Sequence, residues 1–181
     1  MVAAVTADSV GNFVVVWEDK AADGSDYGIF GQRFDAAGAT LGSQFRANTR
    51  TTFQQRNPAI AANDAGEFVV TWHSYDQDGS LDGVFAQRFS AAGNPAASEF
   101  QVNSYTTDRQ QLSTVAADGE GRFVFAWRSH LQDGSTYGVY GRNDTGVATN
   151  VMGVYGESTG VGVSGFGGVR GVSGAASSAT G

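Results

Sequence analysis

The chain contains no cysteine. Disulfides, thiolate metal sites and thiol nucleophiles are therefore excluded. Charge is sparse, at 16% of 181 residues, and its balance is acidic, with 11 Lys+Arg against 18 Asp+Glu and a net −7. That balance argues against sequence-independent binding to a phosphate backbone or to anionic lipid, both of which need basic patches. No apolar run reaches the length of a membrane span. The stretch Met1-Val2-Ala3-Ala4-Val5 lacks the basic start and long apolar core of a secretory signal, so a secreted protein must carry its address elsewhere. No run keeps a helical period, because Gly or β-branched residues interrupt every apolar stretch. The only two histidines, His73 and His130, occupy neighbouring rather than equivalent offsets, so a shared zinc or a His-based triad has no support.

What is present is a repeat. Trp17, Trp72 and Trp127 stand 55 residues apart, and Phe13, Phe68 and Phe123 keep that spacing. So do Gly11, Gly66 and Gly121, and the triplets Asp23-Gly24-Ser25, Asp78-Gly79-Ser80 and Asp133-Gly134-Ser135. Repeats of this length mean solenoids, propellers or arrays. Each copy begins with a short alternating run containing Val5, Ile60 or Val115. An Asn/Asp-Gly turn follows, the strongest short-range hairpin signal. The next run, Phe13–Trp17 in the first copy, is apolar on both faces and reads as a strand buried on both. A third strand runs from Gly28, Gly83 and Gly138, and a fourth covers 44–48 and 99–103.

Four short antiparallel strands per repeat is the signature of a propeller blade. The expected fold is therefore all-β, with three tandem 55-residue four-stranded blades of β-propeller type. Three blades form an incomplete ring, since closed propellers take roughly four to eight. The alternative is a sandwich or solenoid built from the same hairpins. The repeats are placed at 1–57, 58–112 and a truncated 113–142. Residues 143–181 form a Gly/Val/Ser-rich tail, of which 146–155 are a candidate substitute fourth strand for the third blade.

These motifs resemble tandem repeats of large secreted or surface-attached bacterial proteins. The shared pattern is a Gly-x-Phe-Val-Val-x-Trp strand, an Asp-Gly-Ser turn and a Phe-x-Gln-Arg-Phe strand. The second copy carries all three, at Phe68–Trp72, Asp78–Ser80 and Val84–Phe89. The resemblance covers about Val2 to Gly141 and implies propeller-like modules in adhesins or calcium-rich surface proteins. It implies an extracellular or cell-surface location more than an activity. The sialidase Asp-box and the integrin-type cation loop are absent.

Candidate sites lie around the repeated loops. Asp76, Asp78 and Asp82 fall within seven residues and offer oxygens for part of a calcium shell. The first copy offers Asp19, Asp23 and Asp26, and the third only Asp133, so the competing reading is a plain turn. Tyr27, His73, Tyr75, His130 and Tyr137 flank the constant loop but vary between copies, as a recognition surface would. Each Trp reads as core rather than a sugar platform. Gln32-Arg33 and Gln87-Arg88 read as structural, with the arginines expected to pair with carboxylates of a neighbouring strand or blade. The functional expectation is a non-catalytic structural or adhesive module, not an enzyme, with glycan or surface-protein binding through blade loops. No cofactor beyond calcium is expected, and further blades or self-association would complete the ring. The alternative is a fragment of a propeller-fold carbohydrate-active hydrolase or lyase, weighed against because the blades are alike and show no convergent acid, base and nucleophile.

Overall fold

A computed structural model describes residues 1–20, 22, 24–132, 134, 138–144 and 149–154. All twelve elements in it are strands. The first sheet comprises β1 (Ala3–Ala7), β2 (Phe13–Lys20), β3 (Tyr27–Phe34) and β4 (Phe45–Arg46), paired antiparallel in that order. The second comprises β5 (Gln55–Ala62), β6 (Phe68–Tyr75), β7 (Asp82–Phe89) and β8 (Phe100–Gln101). The third comprises β9 (Gln110–Ala117), β10 (Phe123–Ser129), β11 (Gly138–Asp144) and β12 (Thr149–Val154). The first strands β1, β5 and β9 pack side by side, so the sheets fan outward from a common edge.

The hairpins form where the sequence places them. In the first, Asp8 Oδ1 accepts hydrogen bonds from the Val10 and Asn12 amides, and Gly11 takes a φ of 91° that a side chain would oppose. The strands that follow are buried between sheets. Val14, Val16 and Ile29 of the first sheet pack on Phe68, Val70 and Trp72 of the second. Val69 and Val84, on the other face of the second sheet, pack on Phe123, Phe125 and Trp127 of the third. Trp72 is fully buried and Trp127 nearly so. A phenylalanine locks the first joint: Phe45 of β4 lies across the stacked rings of Phe68 and Phe89, with centroids 5.9 and 5.1 Å away.

Two expectations need correction. The fourth strands of the first two blades are two residues long rather than five, because an asparagine side chain replaces the ladder. Asn48 Oδ1 accepts the Ile29 amide at 2.7 Å and Asn103 Oδ1 accepts the Val84 amide at 2.7 Å. The same asparagines donate to Gln55 and Gln110 on the first strand of the following blade, stapling consecutive sheets. The third sheet also has a fourth strand, since β12 runs through residues assigned to the tail, within the segment singled out as a substitute strand. The remaining tail, 155–181, lies outside the described residues.

Arg33 and Arg88 do reach the next blade, and Arg33 does so through a carbonyl. Arg33 Nη1 donates to the Ala92 carbonyl at 2.6 Å, and the Arg88 guanidinium lies 5.0 Å from the Phe123 ring centroid. Gln32 and Gln87 each donate to two backbone carbonyls within their own blade.

Candidate functional site

Each second strand carries a tryptophan followed by a residue that differs in every blade: Glu18, His73 and Arg128. The strand alternation that buries Val14 and Val16 against the second sheet also points Glu18 there. By the same register His73 points toward the third sheet, beside Val69 and Thr71. For Glu18 the start of the following first strand supplies the partner. A β-bulge between Arg56 and Ala59 puts Asn57 at a φ of 52° and turns Arg56 back toward the first blade.

Glu18 is 1% exposed and fully engaged. Arg56 donates to it through Nη2 at 3.1 Å and Nε at 3.4 Å, the Asn57 amide donates at 3.1 Å, and the N-terminal ammonium lies 3.9 Å away. Burial acts to raise its pKa, but these partners outweigh burial and hold the carboxyl below its ordinary 4.5. The Arg56 guanidinium also lies 4.4 Å from the Tyr27 ring centroid, a cation–π contact. One blade further on, Asp82 stands where Tyr27 stands and accepts from Gln111 Nε2 at 2.7 Å, with Arg109 at 3.9 Å. Gln111 also accepts from Arg128 at 2.8 Å.

His73 lies between these two clusters and is 6% exposed. Burial is the main cause that holds its imidazole below the ordinary 6.5; Asp82 and Glu18 oppose the shift, while Arg56 and Arg128 reinforce it. Its Nδ1 is buried without a hydrogen-bond partner. The imidazole is thus neutral at neutral pH, with one ring nitrogen unused.

The remaining sequence candidates spread out. Tyr75 packs edge-on against Phe53 at 5.8 Å, and His130 Nδ1 lies 3.0 Å from Asp108. Tyr137 lies outside the described residues, as does Asp133. The three calcium candidates take separate partners. Asp76 faces Arg50 at 3.9 Å, Asp78 accepts from Gln101 and the Ser80 amide, and Asp82 holds Gln111. Among the described residues no group of three or more His, Asp or Glu gathers for a metal. Sequence reading missed Glu18, Arg56, Gln111 and Arg128. The available signal was the position after each constant tryptophan, which changes from Glu to His to Arg.

A cleft of about 320 Å³ lies elsewhere, between the first two blades at the Asp8 and Asp64 turns, with Phe13, Phe34 and Arg33 in its wall. The Asp8 carboxylate there is spent on its own turn.

No protein-family model matches the chain, and no curated protein matches it. Solved structures do. A protein of unknown function from Dyadobacter fermentans superposes with a TM-score of 0.59 at 7% identity, over 83% of this chain and 53% of its own. A thermostable family-43 glycoside hydrolase superposes with a TM-score of 0.53 at 10% identity, over 84% of this chain and 57% of its own. The three sheets are propeller blades. The endo-arabinase of Bacteroides thetaiotaomicron is also similar, at a TM-score of 0.48 and 16% identity, over 86% of this chain and 56% of its own. The chain spans about half the length of these structures.

The expectation of a non-catalytic adhesive module is corrected here. It rested on the view that blades so alike do not suit an enzyme. A solved structure that shares the fold is a family-43 glycoside hydrolase, which favours the hydrolase alternative over the adhesive module.

Proposed function

We propose that the chain forms the blade section of a propeller-fold carbohydrate-active hydrolase. In this reading its polysaccharide lies along the blade-end face that holds Tyr27, Arg56, His73 and Asp82. The observation that carries the reading is the fold shared with a family-43 glycoside hydrolase over 84% of the chain. The chemistry of the face supports it. Neutral polyols are held by hydrogen-bonding side chains beside aromatic surface, and the partly exposed Arg56 beside the Tyr27 ring supplies both, with His73 buried beneath them.

Glycoside hydrolysis needs one carboxyl that keeps its proton and one that is ionised. Glu18, held by Arg56, is of the second kind and suits charge stabilisation rather than proton donation. A glycan substrate implies an extracellular place of action.

The test is reducing-end release from arabinan, xylan and mannan by the full-length protein that carries these blades. Release from at least one polysaccharide, well above the no-enzyme blank, is expected. Binding without release, or neither across the panel, would overturn the reading.

A further inference from the structure

The two inter-blade joints show what each face of a blade is built to meet. On one face the second blade buries Val69 and Val84 completely, against the third blade. Their counterparts in the third blade, 55 residues on, are Val124 and Val139, which are 49% and 51% exposed. On the other face the second blade buries Ile60 to 8% exposure, against the first blade. Its counterpart in the first blade, Val5, is 64% exposed. Among the described residues, one half-joint of each kind is thus uncovered.

The half-joint on the first blade is already in its docked geometry. Phe13 and Phe34 stack with centroids 4.9 Å apart and planes 11° apart. Phe68 and Phe89 stack with the same two values, but with Phe45 of the preceding blade across them. The first pair lacks such a cover among the described residues and is half-buried.

We propose that the two half-joints meet between two copies of this chain. The outer face of the third blade, with Val124 and Val139, docks on the Val5, Phe13 and Phe34 face of the first blade of a second copy. Three arguments favour a second copy as the occupant. The two faces differ from each other and repeat the two sides of joints already formed within the chain. Because they differ, the contact is heterologous, and such contacts form a ring when the rotation closes. Two chains of three blades give six, within the range of roughly four to eight in which propellers close. The inference stands apart from the hydrolase reading, since it concerns the faces of the blades and not their ends.

The test is mass by light scattering on the purified chain at about 100 µM. A dimer of twice 18.8 kDa is expected. Val5→Asp and Val139→Asp each alter an exposed side chain, so each variant is expected to fold, with wild-type near-UV circular dichroism, and to run as a monomer. Mixing the two variants should restore a dimer, because one undamaged joint remains between the intact third blade of the first and the intact first blade of the second. A monomeric wild type would overturn the proposal and assign the faces to blades in the same polypeptide. A dimer that survives both substitutions, or one broken by Val139→Asp alone, would also overturn it.

Discussion

At the scale of single residues, Glu18 decides how the first joint responds to change. It is a buried carboxylate whose charge is matched by one guanidinium, one amide and the chain's amino terminus. Removing one partner of such a pair strands the other. Arg56→Ala is therefore expected to cost about 3 kcal/mol, read as a lower denaturation midpoint in urea with an unchanged slope. Glu18→Gln combined with Arg56→Met should cost much less than Arg56→Ala, since neither partner then remains charged. The pH dependence follows from groups whose pKa values are lowered on folding, His73 and Glu18 among them. For each, the unfolded chain binds the proton that the folded chain excludes, so stability is full above the unfolded value and is lost as pH falls. His73 contributes a first loss as pH falls below 6.5, and Glu18 a second below 4.5. His73→Gln should flatten the stability profile between about pH 5 and 6.5, where histidine titrates, and leave the lower limb in place. A profile unchanged by His73→Gln would show that its burial does not govern that window.

At the scale of elements, the repeat fixes backbone conformation as well as side chains. Asn57 and Leu112 are equivalent, and both adopt left-handed φ values, of 52° and 51°. Asparagine tolerates that region, whereas leucine does not. Leu112 is 52% exposed, so little buried surface is at stake. Leu112→Asn should stabilise the protein by about 1 kcal/mol, a rise of roughly 2–4 °C in Tm for a chain of this size. A lower Tm would mean that the Leu112 side chain contributes packing that outweighs its strain.

Elements were the most legible level of the sequence. The tryptophans, the turn glycines and the Asp-Gly-Ser loops each recur every 55 residues, and a recurring pattern marks strands even where a single copy is ambiguous. The short fourth strands were less legible. Asn48 and Asn103 look like the ends of a strand, but their side chains take over the backbone's hydrogen bonds. The blade-end cluster was least legible, because its members are the positions that break the repeat. Glu18 meets Arg56 only across a blade boundary, through a bulge that spacing does not reveal.

At the scale of the molecule, a constant apolar frame carries a variable polar rim. The frame is the alternation of Val, Phe and Trp that fills each joint. The rim is the row of residues after each tryptophan, which differ from blade to blade and are each held by their own partners or burial. That division lets near-identical blades present different chemistry at one end, which a glycan-processing scaffold requires. The account stands or falls on whether saccharide reaches this rim. The most direct measurement is an NMR titration of the histidine side-chain nitrogens with arabino-, xylo- and manno-oligosaccharides. With only two histidines in the chain, the His73 signals are identified by their loss in His73→Gln. The account predicts that at least one oligosaccharide series shifts His73 Nδ1 in a saturable way, and that Arg56→Ala weakens that response. Saturable binding that leaves His73 unmoved would place the glycan elsewhere and contradict the account.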